Sequence, residues 1–248
     1  MIVGIYAALK KTEICLEDEE KSMQMLASAS QMQMHKKGDI LANYGQEVEH
    51  FFIVASGHVK LYRDNEDGQE VVISTLENGQ GFFYPSLFLG MEAPAHAETL
   101  EKSEIIQIPV RLMREVVMQN MSMTKLIAER TSSSFVHLYE RIEEFTLKSP
   151  EQRVCYFLLK EFIKNGSDQL SFPLPYKKSV IASELGMTPE TFSRVLARLK
   201  KVGVTVKKNI VFLAQSDALC HVCTLETAQN CVHFDPDQCA RTGYVKED

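Results

Sequence analysis

The sequence lacks several features that would define its class at once. It contains no tryptophan, so phenylalanine, tyrosine and eleven methionines supply its large apolar side chains. No apolar run approaches the length of a membrane span. The apolar N-terminus, MIVGIYAAL, has no basic residue before it and no cleavage site after it. We therefore expect a cytoplasmic protein without a membrane partner, and its 248 residues suffice for one or two domains.

Negative charge is in excess, with a net charge of −6, but the two signs are unevenly distributed. Residues 1–148 hold 14 Lys and Arg against 22 Asp and Glu, and the last 34 residues hold 2 against 6. Residues 149–214 hold 11 against 5. Because basic segments gain free energy by releasing counterions from phosphates, residues 149–214 are the part of the chain suited to nucleic acid.

Short strands separated by Gly-containing turns are predicted over residues 36–109. The segment FFIVASGHVKLY (51–62) contains two strands around Ser56-Gly57, and EVVISTL (70–76) and EIIQIP (104–109) are further strands. Such regularly spaced short strands are typical of an antiparallel jelly roll or barrel. We assign residues 1–110 to this β-roll and to an extension that precedes it.

A helical period follows Pro109. Between Met121 and Phe145, apolar and small residues recur at alternating spacings of three and four, which is the heptad seam of a helix that pairs with its own copy. The alternative is a helix packed on its own β-domain. We favour a dimerisation helix over 111–148, because the stripe is narrow and extends beyond the β-domain. The predicted interface residues are Ala128, Thr131, Phe135, Leu138, Ile142 and Phe145.

Helix-capping patterns recur in the basic segment. Ser149-Pro150-Glu151-Gln152 has the pattern of an N-cap, a proline at the first helical position and a capping box. A short helix at 177–185 is followed by Gly186 as a tight turn, and Thr188-Pro189-Glu190 begins a second helix. The segment VGVTVKKNIVFLA (202–214) has the pattern of a β-hairpin. We therefore predict a winged helix-turn-helix.

The segment LGMTPETFSRVLARLKKVG (185–203) resembles the CRP/FNR superfamily, and the similarity extends over about residues 36–219. The resemblance implies an α+β fold with an N-terminal β-roll like that of cyclic-nucleotide-binding domains, a long dimerisation helix and a C-terminal winged helix-turn-helix over 149–214. It also implies a homodimer whose partners are double-stranded promoter DNA and RNA polymerase. The spacing of Glu, Ser and Arg is similar to that of the FNR-type branch, which reads a TTGA-like half-site. Pro189 stands where catabolite-activator-type members carry an arginine, which favours TTGA-type over TGTGA-type sites.

The same resemblance assigns roles to the second helix. Arg194 would bind guanine O6 and N7, Glu190 would accept from a cytosine N4 amine, and Ser193 would discriminate at the outer thymine. A simpler alternative is that Glu190 and Arg194, four residues apart on one helix, form an ion pair. Candidate phosphate contacts are Thr191, Lys177, Lys178, Arg198, Lys200, Lys201, Lys207 and Lys208.

The effector is not expected to be cyclic AMP. In this superfamily a Glu and an Arg in a short Gly-rich cassette hold the ribose and the cyclic phosphate. The corresponding residues here, 79–100, contain no arginine, and aromatic or proline residues occupy the place of the Glu. A cyclic phosphate would therefore meet no positive charge from this cassette.

A cysteine-rich tail over 215–248 is the favoured sensor. Four thiolates satisfy either a [4Fe–4S] cluster or tetrahedral zinc, and redox-active thiols without metal are a third possibility. We favour the cluster. FNR-type regulators usually carry cluster cysteines near the N-terminus, where this chain has only Cys15, although some relatives place the cluster after the wing. The predicted ligands are Cys220, Cys223, Cys231 and Cys239, with His221, His233 and Asp235 as alternatives, and Cys155 is expected in the core.

Two other function classes remain as alternatives. Haem in the β-domain would make the protein a nitric-oxide sensor of the same superfamily, with Met32, Met34 and His35 as axial candidates and His50, His58, His96 and His137 as others.

A cupin-like enzyme would need clustered His and carboxylate ligands, which the β-domain histidines do not provide. We therefore predict a non-enzymatic regulator that senses oxygen, nitric oxide or redox state in anaerobic respiration or nitrosative stress. A constitutive DNA binder with a structural zinc tail is the remaining alternative.

Overall fold

The computed structural model describes residues 2–166 and 169–220, and the chain divides into two units, Met1–Tyr139 and Glu140–Asp248. The division falls within the predicted dimerisation helix rather than at its end. The last two turns of that helix therefore belong to the second unit. Among the described residues, no helix is long and apolar enough to cross a membrane.

Two four-stranded antiparallel sheets form the β-roll of the first unit. Apolar residues from both sheets, including Val54, Val59, Ala97 and Ile105, form one buried cluster, so the sheets enclose a common core. This confirms the predicted jelly roll, although its first strand begins before residue 36. One sheet has the order β1 (Gln31–His35), β8 (Ser103–Pro109), β3 (His50–Ser56) and β6 (Gly81–Phe82), and the other has β2 (Ile40–Ala42), β7 (His96–Thr99), β4 (Val59–Asp64) and β5 (Glu70–Leu76).

Aromatic side chains occupy the interior of the roll. Phe52 stacks on Phe82 with ring centroids 5.1 Å apart, and Phe83 meets Phe82 edge-on at 4.9 Å. All three are buried. Phe83 precedes the short helix α3 (Tyr84–Leu89) and has a φ of 67°, an unusual conformation for a bulky residue. The first part of the cassette over residues 79–100 is thus built around tightly packed rings.

Two helices follow the roll where the sequence predicts one. Helix α4 (Val110–Gln119) ends at Asn120, which has extended backbone, and helix α5 (Met121–Leu147) begins directly after it. The Asn120 side chain accepts a hydrogen bond from the Met123 amide at 3.0 Å and donates to Glu19 at 2.6 Å. The break is therefore stabilised by a cap and by a long-range contact.

The N-terminal extension belongs to the core of the first unit. Helix α1 (Ile2–Leu9) buries Ile5 and Leu9, and helix α2 (Glu20–Ala29) packs against the same cluster. Between these helices, the Glu13 carboxylate accepts hydrogen bonds from the Gly81 amide at 2.7 Å and from the Tyr84 hydroxyl. Arg130 of α5 donates to the Glu13 carbonyl at 2.9 Å. The extension thus connects the cassette to α5.

The second unit has the predicted winged helix-turn-helix. The first helix of the winged helix-turn-helix, α6 (Pro150–Lys164), has the predicted capping box, because Ser149 and Gln152 exchange hydrogen bonds at 2.9 and 3.3 Å. Phe162, Phe172 and Phe192 are fully buried and join the helices to the sheet. The elements are α6 (Pro150–Lys164), β9 (Ser171–Pro173), α7 (Lys178–Glu184), α8 (Pro189–Leu199), a 3-10 turn at Lys200–Val202, β10 (Val204–Lys207) and β11 (Ile210–Leu213), with sheet order β10-β11-β9.

Candidate nucleic-acid interface

Helix α8 has a well-defined start. The Thr188 hydroxyl accepts a hydrogen bond from the Thr191 amide at 3.2 Å, and Pro189 occupies the first helical turn, where its missing N–H leaves no hydrogen bond unmade. Phe192, Val195 and Leu199 are buried at spacings of three and four. These residues turn the opposite face of α8 outward and fix its rotation about its own axis.

The exposed face of α8 carries the three predicted base-reading residues. Glu190, Ser193 and Arg194 are all exposed, and Thr191 is half-buried. The Ser193 hydroxyl donates to the Pro189 carbonyl at 2.8 Å, so its oxygen retains lone pairs to accept a hydrogen bond. The side chains required for the predicted contacts therefore lie on one accessible face.

The ion pair between Glu190 and Arg194, which was the simpler alternative to base reading, is not formed. Within residues 2–166 and 169–220, Arg194 is not within 4.0 Å of a carboxylate oxygen. The pKa of Glu190 is lowered first by its own backbone N–H at the helix start, then by the Thr188 hydroxyl, with a smaller contribution from the positive charge of Arg194. The N-terminus of α8, rather than Arg194, thus holds this carboxylate ionised, and the guanidinium remains available to a ligand.

The basic side chains around α8, which are candidates for phosphate contacts, differ in their exposure and in their ion pairing. Arg198 forms an ion pair with Glu151 of α6, with Nε and Oε2 3.2 Å apart. Lys177 is exposed immediately before α7, whereas Lys178 is half-buried. Lys207 and Lys208 are exposed at the two-residue turn between β10 and β11, which is the tip of the wing. Lys200 and Lys201, directly after α8, are exposed as well, so these two residues, Lys177 and the two wing cations are the accessible phosphate candidates.

The end of α5 packs against the helix-turn-helix, which the sequence analysis did not predict. Arg141 donates to the Glu184 carbonyl, the last residue of α7, at 2.8 Å. A Cβ at Gly186 would overlap the Phe145 ring, lying 3.1 Å from Cδ1 and closer still to Cε1. Phe145 and Gly186 are 41 positions apart in sequence, so no local pattern could reveal this contact.

The other predicted dimer-interface residues lie on the surface of the single chain. Ala128 and Thr131 are exposed, and Phe135, Leu138 and Ile142 have 59%, 53% and 63% of their surfaces accessible. Phe145 is 42% exposed because of the contact with Gly186. Within the part of the chain that the structure describes, an apolar stripe therefore continues along α5 without cover.

Only the first cysteine of the tail lies within the described residues. Ala218 and Leu219 are buried in the core of the winged helix, and Cys220 follows them, half-buried. The other three predicted ligands lie outside the described residues, as do the alternative ligands His221, His233 and Asp235. Over residues 2–166 and 169–220, no group of three or more His, Cys, Asp or Glu side chains could hold a metal ion.

The remaining sulfur and haem candidates are placed as follows. Cys155 is buried, as predicted, and burial, followed by the negative charge of Glu151, raises the pKa of its thiol to about 12. Met34 is exposed on β1, and His35 Nδ1 lies 3.6 Å from Asp39. Met34, one of the candidate axial ligands of haem, is therefore not enclosed within the β-roll.

Comparisons with known proteins agree with both halves of this architecture. Residues 32–120 match the cyclic nucleotide-binding domain family, and residues 152–222 match the Crp-like helix-turn-helix domain family. The fumarate and nitrate reduction regulatory protein of Salmonella typhimurium is 27% identical over 194 residues, which span 74% of this chain and 75% of that protein. The anaerobic regulatory protein of Pasteurella multocida is 26% identical over 172 residues, or 68% of this chain and 63% of that protein.

Solved structures share the fold. FixK2 from Bradyrhizobium japonicum is 19% identical and aligns with a TM-score of 0.68, covering 77% of this chain and 95% of FixK2. A CooA mutant from Carboxydothermus hydrogenoformans is 21% identical and aligns with a TM-score of 0.65, covering 77% and 87%. The two matched domains together span well over half of the chain. With a β-roll, a long helix and a winged helix-turn-helix in this order, the chain belongs to the CRP/FNR superfamily of DNA-binding transcription regulators.

Proposed function

We propose that the protein is a homodimeric transcription regulator that reads a TTGA-like palindrome through α8. The observation that carries the proposal is the exposed triad of Glu190, Ser193 and Arg194 on a helix whose opposite face is buried. An unpaired guanidinium can bind guanine O6 and N7 with two hydrogen bonds, and an ionised carboxylate can accept from a cytosine amine. These are the edges that a TTGA·TCAA half-site presents.

The uncovered stripe on α5 supports a homodimer. A palindrome has two half-sites about one helical turn apart, and a two-fold symmetric protein places one recognition helix in each. Phe135, Leu138 and Ile142 offer large apolar surfaces at heptad spacing. RNA polymerase is proposed as the further partner, because transcription regulators of this superfamily act at promoters.

The β-roll is proposed not to bind cyclic AMP. Phe52, Phe82 and Phe83 pack their rings together in the space enclosed by the two sheets. Residues 79–100 contribute no arginine to balance a cyclic phosphate. Burying an uncompensated phosphate charge among aromatic rings would be strongly unfavourable.

We propose the cysteine tail as the sensor, with a [4Fe–4S] cluster that responds to oxygen, nitric oxide or redox state. The four thiolates fit this group in number and kind, and Leu219 fixes the first of them to the core of the winged helix. Loss or nitrosylation of the cluster would then change the presentation of α8 under oxidative or nitrosative stress. Structural zinc in the tail and haem in the β-domain are the alternatives.

Base reading is tested by comparing two arginines of the same helix. Full-length Arg194→Ala and Arg198→Ala variants are titrated against a TTGA palindrome and against a duplex in which its G·C pairs are replaced. We expect Arg194→Ala to lose about 10- to 100-fold of the discrimination between the two duplexes. Arg198→Ala should lower both affinities equally, because a phosphate contact carries no base information. Retained discrimination in Arg194→Ala would refute the assigned contact.

The sensor is tested by measuring iron, acid-labile sulfide and zinc in protein purified without oxygen. About four iron and four sulfide per chain, lost in Cys223→Ser and retained in Cys155→Ser, would support the cluster. One zinc per chain without sulfide would make the tail a structural metal site and move the search for the effector to the β-roll. A haem absorption spectrum would favour the haem alternative.

A further inference from the structure

The last two turns of α5 contact the helix-turn-helix at the end of α7 and at the turn between α7 and α8. Arg141, Glu144 and Phe145 all belong to the second unit, together with α6, α7 and α8. Glu144 forms an ion pair with Lys160 of α6 at 3.5 Å, which joins the end of α5 to the first helix of the winged helix. This end of α5 is therefore structurally part of the DNA-binding unit.

Phe145 fills the space that Gly186 leaves open. Gly186 has a φ of 63° and no Cβ, so the chain turns sharply between α7 and α8 while the Phe145 ring lies directly against its backbone. Any other L-residue at this position would be strained and would also displace the ring. The turn at Gly186 and the Phe145 ring are thus complementary in shape.

Two arginines hold the Phe145 ring in place. The guanidinium carbons of Arg141 and Arg153 lie 5.4 and 5.1 Å from the ring centroid, distances at which a cation attracts the face of an aromatic ring. Arg141 also binds α7 directly, through the Glu184 carbonyl at 2.8 Å and the Glu184 carboxylate at 3.8 Å. The Tyr176 hydroxyl donates to the same carboxylate. These contacts together fix the position and the orientation of the turn between α7 and α8.

We propose that Phe145 and Arg141 are positioning residues for DNA recognition, which support the turn before α8 and so set the angle at which α8 meets the DNA. The proposal rests on base reading by α8 but not on the TTGA sequence. The proposal gives Phe145 a role that the rest of the apolar stripe does not have. Ile142 is 63% exposed, whereas Phe145 packs on Gly186.

The test compares full-length Phe145→Ala with Ile142→Ala, a neighbour on the same stripe. Binding is measured to the duplex that the wild type itself selects from a random pool, and to an unrelated duplex, at protein concentrations where sedimentation shows both variants as dimers. We expect Phe145→Ala to lose about tenfold or more in the ratio of the two affinities. Phe145→Tyr, which keeps the ring, should retain the ratio, and Ile142→Ala should retain it as well.

A double-mutant cycle isolates the contact with the turn. Gly186→Ala alone should weaken selective binding, because its Cβ overlaps the ring. In the Phe145→Ala background the same methyl group has room, so the combined loss should be smaller than the product of the two single losses by about threefold or more. Circular dichroism and thermal unfolding of each variant verify that the winged helix is folded.

The outcomes are distinct. Loss of selectivity in Phe145→Ala together with a non-additive cycle supports the positioning role. Unchanged selectivity in Phe145→Ala, equal losses in Ile142→Ala, or additive effects in the cycle would overturn it. If the wild type selects a sequence unrelated to TTGA, the proposed half-site fails while the positioning role is still decided by the same comparisons.

Discussion

A half-buried carboxylate on α6 makes the stability of the winged helix depend on pH. Burial, followed by the negative charge of Glu184, raises the pKa of Glu161 from 4.5 to about 7. Between these values the folded protein binds more protons at Glu161 than the unfolded chain does. Its free energy of unfolding therefore falls as pH rises from about 4.5 to 7, and the full penalty is present above pH 7.

The magnitude follows from the size of the pKa shift. At about 1.36 kcal/mol per unit, the shift corresponds to an upper limit of about 3.4 kcal/mol. Because Glu161 is only half-buried and is screened by solvent, we expect about 1–2 kcal/mol. Glu161→Gln keeps the shape of the side chain and removes the charge, so it should stabilise the winged helix by this amount at pH 8 and by much less at pH 5.

The assay is urea unfolding from pH 5 to 8.5, together with hydrogen exchange of the α6 amides, which reports on the second unit alone. The control is Glu143→Gln, which removes an exposed carboxylate from α5. Equal pH dependence of wild type and Glu161→Gln, or stabilisation of Glu143→Gln by the same amount, would refute the reasoning.

Three further substitutions test other parts of the structure. Thr188→Ala removes the N-cap of α8 and should destabilise the second unit by about 1 kcal/mol; unchanged hydrogen exchange at the start of α8 would contradict this. Glu13→Ala leaves the hydroxyl and amide that it binds without their partner, and should cost about 1–3 kcal/mol in urea unfolding of the first unit; an unaltered midpoint would contradict the linking role of Glu13. Leu138→Ser places a polar group in the apolar stripe and should shift the dimer towards monomer in sedimentation, whereas undiminished dimerisation would argue against that seam.

Local sequence patterns predicted the structural elements that depend on residues close together in the sequence. Short strands between glycine turns, the capping box at Ser149, the cap at Thr188 and the glycine turn at Gly186 are determined by residues within a few positions of each other. The exposed face of α8 follows from the spacing of its buried residues. These parts of the candidate site could therefore be predicted from the sequence.

Contacts between residues far apart in the sequence could not be predicted from such local patterns. Asn120 interrupts the predicted helix, and its side chain binds Glu19, 101 positions away. Glu13 meets Tyr84 at a separation of 71 positions. The short strand β9, which ends at Pro173, was missed because three residues are too few to show a period. The contacts of Asn120 and Glu13 depend on how the chain folds back on itself.

The position of the division inside α5 determines how the protein can be recombined with its relatives. A chimera joined at residues 148/149, the apparent start of the winged helix, would separate Arg141 and Phe145 from the turn that they contact. A junction at 139/140 would transfer these residues together with α6, α7 and α8. The exchangeable module of this regulator therefore begins in the middle of a helix, two turns before the first residue of the winged helix itself.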